Sequence, residues 1–353
     1  MEINKIRKSI DMIDKKIVGL LNARAQKILN IGKVKKENKQ AIYAPAREKE
    51  VFSRITAGNK GPLKNESLEA IYREVMSAAL SLEKPLSIAY MGPKATFSNL
   101  AALKKFGASV SYLPCNTITD VFNEVEKGSA DYGVVPIENS IEGAISHTLD
   151  MLVDSDLKIC SQILLDVSHN LLARCAKKDI RRVYSNPQVF GQCRLWLETN
   201  LPKAELIDVS STTRAAQIAA RERNSACIAS LLAAKEYNLN VISKDIEDSP
   251  HNITRFLVIG RFESDPTGYD KTSVMFSIKD KVGALHDMLM PFKKYKINLT
   301  KIESRPSRKK AWDYFFFVDL IGHIKEKKVE RALQELEEKC KFLKILGSYP
   351  QSE

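Results

Sequence analysis

The chain of 353 residues is 44% hydrophobic and 28% charged. That is enough apolar content to bury cores, and the length predicts two or three domains at roughly 100–200 residues each. Net charge is +12, which admits nucleic acid, an anionic membrane surface or small anions as partners. No apolar run approaches the ~20 residues of a membrane span, and Met1-Glu2-Ile3-Asn4-Lys5 lacks a signal-peptide core. The cysteines at 115, 160, 175, 193, 227 and 340 form no CxxC pair, and the five histidines show no metal-ligand spacing. These features read as free thiols in a reducing cytoplasm and argue against a membrane, disulfide-stapled or zinc protein. Residues 1–85 carry net +8, residues 86–262 net 0 and residues 263–353 net +4, which predicts separate modules.

The first segment, 1–85, predicts helices only. Ile3, Ile6, Ile10, Ile13, Ile17, Leu20, Leu21, Ile28 and Ile31 fall at helical spacing over residues 3–35. A helix about 50 Å long cannot be covered by so small a module, so its stripe is expected to pack on a second copy, giving a homodimer. Further helices are expected from Pro45 to Ala57 and from Asn65 to Glu83, separated by Gly58-Asn59-Lys60-Gly61-Pro62, a breaker. Arg24 interrupts the apolar stripe, with Lys35 one turn beyond Ile31. A buried charge is costly unless paired. The cation therefore snorkels, pairs across helices, or binds an anionic ligand together with Arg7 and Arg47.

The second segment, 86–262, switches to short strands and helices, including Ser87–Tyr90, Tyr132–Ile137, Arg182–Tyr184 and Ala226–Ala229, an α/β pattern. Three loops set polar residues before helix starts: Thr96-Phe97-Ser98, Glu138-Asn139-Ser140 and Ser211-Thr212. Each could be ordinary N-capping. Three in one segment point to a ligand cleft between two lobes. Arg255, in His251-Asn252-Ile253-Thr254-Arg255-Phe256, is expected to pair with an acid such as Glu247 or Asp248 or to bind ligand. Glu263–Gly268 reads as a linker. Residues 271–353 predict strand Thr272–Ile278, helix Ala284–Lys294, strands Leu299–Ser304 and Trp312–Leu320, helix Lys327–Lys339 and strand Leu343–Leu346, the ferredoxin-like βαββαβ order.

Three motif sets carry a resemblance that covers almost the whole chain. Arg7, Arg24, Lys35 and Tyr43-Ala44-Pro45-Ala46-Arg47-Glu48 resemble the all-helical chorismate mutases, intertwined helical dimers. The resemblance implies that Arg7 of the partner, Arg24 and Arg47 bind carboxylates, that Lys35 and Glu83 meet the ether oxygen, and that Glu48 takes the substrate hydroxyl. Such a rearrangement needs no nucleophile, only a held conformer and cations near developing charge. Gly92-Pro93-Lys94-Ala95-Thr96-Phe97-Ser98, Val135-Pro136-Ile137-Glu138-Asn139-Ser140, Tyr184-Ser185-Asn186-Pro187-Gln188 and Thr254-Arg255-Phe256 resemble prephenate dehydratase, a two-lobed fold related to periplasmic binding proteins. There Thr254 would donate to or position the leaving hydroxyl, and Arg255 would anchor a carboxylate or support the fold. Ala95 stands for a usual glycine and Asn186 for a usual histidine. Gly283-Ala284-Leu285-His286 and Glu303-Ser304-Arg305-Pro306 resemble the phenylalanine-binding stretches of an ACT domain.

The resemblance thus implies a bifunctional cytoplasmic enzyme. It would convert chorismate to prephenate and prephenate to phenylpyruvate without metal or cofactor, under L-phenylalanine inhibition, as a homodimer or dimer of dimers. Two other classes compete. A non-catalytic amino-acid sensor with degenerate sites would not need Arg24, Lys35 or Thr254, and a coupled assay with chorismate separates it. A nucleic-acid binder rests on charge alone and lacks an aromatic–basic interleave.

Overall fold

The isoleucine periodicity of the N-terminus produces one long helix in the computed structural model, which describes residues 2–38, 41–278, 281–306 and 314–351. The chain divides into two compact units, residues 1–87 with 105–111, and residues 88–104 with 112–353. Residues 105–111 therefore fold with the first unit, although their sequence neighbours belong to the second segment.

The first unit holds α1 (Glu2–Glu37), α2 (Pro45–Ala57) and α3 (Asn65–Glu83). Pro45 opens α2 at a first-turn position, where its missing N–H costs nothing. α1 passes α3 closely at Gly32, where a β-carbon would touch Glu83. No described residue of α1 is buried, and Ile6, Ile10, Ile13, Ile17 and Leu20 are all exposed.

The chain continues, mostly within the second unit, as β1 (Ser87–Met91), α4 (Phe97–Phe106), β2 (Ser111–Cys115), α5 (Ile118–Lys127), β3 (Tyr132–Asn139), β4 (Gly143–Ala144), α6 (Ser146–Asp154) and β5 (Lys158–Asp166). The chain then builds a second lobe from β6 (Asn170–Ala173), β7 (Arg182–Ser185), α7 (Pro187–Gln192), α8 (Arg194–Asn200), β8 (Glu205–Asp208), α9 (Thr212–Ala219), β9 (Ser225–Ala229), α10 (Leu231–Glu236) and β10 (Asn240–Ser243). It returns as β11 (Ile253–Gly260). The first sheet runs β2-β1-β3-β11-β5 and the second β10-β6-β9-β7-β8. β11 is inserted antiparallel between β3 and β5, so its first residues lie where the chain crosses back between lobes. Val167 N donates to Asn252 O at 2.7 Å across that double crossing.

The remaining elements are β12 (Asp270–Ser277), α11 (Ala284–Lys294), β13 (Leu299–Pro306), β14 (Tyr314–Ile321), α12 (Lys327–Lys339) and β15 (Phe342–Pro350). They form an antiparallel sheet in the order β13-β14-β12-β15, with the expected βαββαβ succession. The strand expected from Trp312 starts at Tyr314 among the described residues; Trp312 and Asp313 lie outside them. One apolar core joins Phe122, Leu149, Ile159 and Leu257 of the first lobe to Phe317, Leu346 and Tyr349 of this sheet. Gly347 allows the contact: its φ is +155° and a β-carbon there would lie 2.3 Å from Ile159 O.

Candidate active sites

In the first unit, Lys35 is held by Ile42 O at 2.7 Å and by Glu83 Oε2 at 3.0 Å, with Glu83 only 5% exposed. Glu48 Oε2 accepts from Tyr43 Oη at 3.0 Å and from Lys105 Nζ at 2.8 Å. Arg47 is exposed and pairs with Glu50. Arg24 is half-buried, and neither it nor Arg7 has an ion pair or hydrogen bond among the described residues. Arg7 and Lys35 lie 28 residues apart on one helix, roughly 42 Å at 1.5 Å per residue. One copy of α1 therefore cannot bring both to one site.

In the second unit the site grows from the start of β11. Thr254 sits opposite Asn139 of β3. The Oδ1 of Asn139 accepts from the N–H groups of Ile141 (2.9 Å) and Glu142 (3.0 Å), an Asx turn that fixes the amide's orientation. Its Nδ2 then donates to Asn252 Oδ1 at 2.8 Å and to Thr254 Oγ1 at 2.9 Å. An amide N–H can only donate, so the threonine oxygen is an acceptor here and its own proton stays available. Asn252 Nδ2 in turn donates to Gln192 Oε1 at 3.0 Å. His169 Nε2 donates to the same oxygen at 2.7 Å, while Gln192 Nε2 donates to Glu142 at 3.2 Å. That pattern leaves His169 Nδ1 as a buried atom without a partner among the described residues. Burial lowers the His169 pKa, so the ring is neutral at pH 7. A cleft of about 560 Å³ opens beside this network, lined by Ile141, Glu142, Gln188, Gln192 and Glu247.

The three predicted loops are used differently. Phe97 meets the His169 ring edge-on at 5.8 Å. Thr96 Oγ1 donates to Met91 O and accepts from Asn99 N, and Ser98 is buried. Ser140 Oγ donates to His251 O and accepts from Ile253 N, fastening the loop to the strand entry. Ser211 caps α9 through Arg214 N, and Thr212 is the first residue of that helix. Phe256 is 1% exposed, a core residue. Ala95 has φ +67°, the left-handed region where its usual glycine is strain-free and alanine costs about 1 kcal/mol. Asn186 caps α7 through Val189 N.

Arg255 and Glu138 are register partners next to the Thr254–Asn139 pair, and strand alternation turns them to the opposite face. The acids expected to hold Arg255 were Glu247 and Asp248; both are engaged elsewhere. Glu247 accepts from His169 N, and Asp248 accepts from Leu195 N and Trp196 N. Arg255 instead pairs with Asp319 at 2.6 Å and with Glu138 at 3.6 Å, and donates to Gln162 and Tyr349. Glu138 also pairs with Lys301 at 2.8 Å. Both residues thus face β13–β15 and not the threonine hydroxyl. Gln192, Asn252 and His169 were not expected at the site. Gln192 carried no sequence signal, and Asn252 lay within a motif read only for Thr254 and Arg255.

In the third segment Gly283 caps α11 at φ +76°, the left-handed region that favours glycine. Ala284 is buried, Leu285 is half-buried and His286 is 75% exposed beside Asp287. β13 alternates. Ile302, Ser304 and Pro306 are exposed, whereas Lys301, Glu303 and Arg305 are half-buried. Arg305 donates to Ser146 and to both oxygens of Asp150 on α6.

Burial pushes the Cys160 thiol up to about 12 and the Cys115 thiol up to about 11, so neither is a thiolate nucleophile at neutral pH. The chain matches the type II chorismate mutase family over residues 6–84, the prephenate dehydratase family over 88–264 and the ACT domain family over 272–338. It is 51% identical to the bifunctional chorismate mutase/prephenate dehydratase of Aquifex aeolicus, over 99% of this chain and 98% of that one. The prephenate dehydratase of Arthrobacter aurescens, solved in complex with L-Phe, is 33% identical over 75% of this chain and 90% of that one, with a TM-score of 0.71. A protein described as a quorum-quenching acylase is 27% identical over 75% of this chain and 98% of that one, with a TM-score of 0.70. The frame thus recurs in a protein described by another activity, and fold alone does not decide function. The three matched segments in this order, with a relative of that identity along nearly the full length, decide the family: the chain belongs to the bifunctional chorismate mutase/prephenate dehydratases.

Proposed function

We propose that the chain catalyses two consecutive steps, the rearrangement of chorismate to prephenate in residues 1–85 and the decarboxylating dehydration of prephenate to phenylpyruvate in residues 86–262. The observation that carries the second step is the Asn139–Thr254 hydrogen bond. With one lone pair engaged by an amide that only donates, the Thr254 hydroxyl aims its proton outward and donates it more readily. That proton passes to the C4 hydroxyl, which leaves as water, and the threonine oxygen regains a proton from solvent. The electrons of the breaking carboxylate bond enter the ring as CO₂ departs, and aromatisation drives the step. Gln192 and neutral His169 hold the amide relay, and Phe97 packs on the histidine. Phe97, Ser98, Ser140, Ser211 and Thr212 belong to loops supported by the family likeness as the cleft's walls.

For the first step, Arg24 and Arg47 bind the substrate carboxylates, Lys35 donates to the ether oxygen and Glu48 receives the hydroxyl. Lys35 is paired with Glu83, which sets both side chains at one place, as two groups that meet the same ether oxygen must be. The exposed stripe Ile6, Ile10, Ile13, Ile17 and Leu20 supports an antiparallel homodimer, and the span between Arg7 and Lys35 requires a second copy for Arg7 to act. L-Phenylalanine binds at Gly283-Ala284-Leu285-His286 and the exposed face of Glu303-Ser304-Arg305-Pro306, residues 271–353, and inhibits the dehydratase. Its site is completed by another copy, because Ile302 and Ser304 face solvent in a single chain. A cytoplasmic location suits a biosynthetic enzyme. No helix among the described residues is long and apolar enough to cross a membrane. Product analysis of the full chain given chorismate, with and without phenylalanine, tests the proposal. Prephenate without phenylpyruvate would remove the second activity, and unchanged chorismate the first.

A further inference from the structure

Glu48 and Lys105 are 57 residues apart, yet their side chains meet at 2.8 Å with 14% and 22% exposure. We infer that Lys105 is a positioning residue of the mutase site, acting through Glu48. The inference rests on the assignment of Glu48 to the substrate hydroxyl. Tyr43 Oη and Lys105 Nζ both hold Oε2. Oε1 has no protein donor among the described residues, so one oxygen is clamped and the other is left for a ligand. The clamp is itself fixed. Lys105 lies 5.8 Å over the Tyr43 ring, and the Phe106 ring lies 5.0 Å from it. Tyr43 is 4% exposed.

The stretch that presents Lys105 is bolted to α3. Ala108 N donates to Glu74 and Ser109 N to Ser77, each at 3.0 Å. Gly107, at φ +70°, sits where a β-carbon would come within 2.6 Å of Ser77 Cβ. A loosely solvated surface lysine would show neither this anchoring nor a buried tyrosine that shares its acceptor. With its cation and the tyrosine on one carboxylate oxygen, Glu48 keeps one rotamer and presents Oε1 in a fixed direction. The residue comes from sequence that the family likeness assigns to the other activity, so no motif of the first segment announces it.

The test uses the full chain in steady-state assays with chorismate and, separately, prephenate. Lys105→Met keeps the apolar stem and loses the charge. It is expected to lower mutase kcat/KM roughly 10–100-fold, the scale of a displaced substrate contact, while turnover of supplied prephenate stays native. Lys105→Arg is expected to restore most of the loss. Adding Lys105→Met to Glu48→Gln is expected to change nothing further, because both act on one contact. Native mutase kinetics in Lys105→Met would overturn the inference. So would equal losses in Met and Arg, which mean packing alone, or additive losses in the double variant. Native kinetics in Glu48→Gln would instead overturn the assignment of Glu48, and the inference with it.

Discussion

Replacing Asp319 by Asn removes the charge that holds Arg255, one residue from Thr254. The pair is buried, with side-chain exposures of 11% and 9%. Removing one partner of a buried pair costs about 3–5 kcal/mol, because the other charge stays buried. Glu138 is already 3.6 Å from Arg255 and can move closer. Ser273 can still donate to the remaining oxygen, now at 2.5 Å. The lower end, about 3 kcal/mol, is therefore expected. At roughly 2–4 °C per kcal/mol for a domain of this size, melting should fall by about 6–12 °C. Dehydratase activity should fall as well, because Arg255 follows Thr254 directly on β11 and would lose its principal anchor. Scanning calorimetry with a prephenate assay below the transition reads both quantities. Asp319→Leu combined with Arg255→Met removes both charges and should recover much of the stability. Unchanged melting and turnover in Asp319→Asn would refute the view that this pair holds the catalytic strand in place.

Asn139→Ala should lower dehydratase turnover about 10–100-fold and leave the mutase native, because it frees the Thr254 hydroxyl to rotate. Thr254→Ala should remove the step and let prephenate accumulate from chorismate, whereas Thr254→Ser should retain part of it; a native rate in Thr254→Ala would assign the proton to another group. Glu83→Gln keeps a hydrogen-bonding side chain beside Lys35 without competing for its charge. Mutase activity should persist, as initial rates with chorismate would report. A large loss would mean that the Lys35–Glu83 ion pair is needed to place the lysine.

The helical stripe of α1, the strand–helix alternation of the middle and the βαββαβ order were legible because each rests on local period and on turn residues. Thr254 was legible as part of a short motif. Its working partner arrangement was not, because Asn139, Asn252, Gln192 and His169 come from four stretches that meet only at the crossing between lobes. Arg255 shows the same limit from the other side. Its neighbourhood in sequence offers Glu247 and Asp248, but a strand alternates its faces. That alternation sends the guanidinium to Asp319, which is 64 residues away. Lys105 was hidden for a different reason. Charge spacing along a helix marks a stripe within one segment, and this lysine reaches Glu48 from a stretch after the segment boundary.

On the proposed phenylalanine site, β13 would link the ligand to the strand that carries Thr254. Its exposed face carries Ile302, Ser304 and Pro306, and its other face carries Lys301, Glu303 and Arg305 toward the dehydratase fold. Lys301 reaches Glu138 at 2.8 Å, and the next residue along β3 is Asn139, the donor to Thr254. A ligand that prefers one setting of β13 would bias Glu138 and, through it, the loop that orients Asn139. Lys301→Met keeps the stem of the side chain and breaks that pair. It should leave uninhibited turnover close to native and raise the phenylalanine concentration for half-inhibition by about fivefold or more, the lower end of common coupling factors. Calorimetry should show that phenylalanine still binds, which separates loss of coupling from loss of the site. Inhibition as strong as in the native protein would mean that the signal passes through Arg305 and Asp150, or through Asp319 and Arg255, and that Lys301 only fastens the sheet.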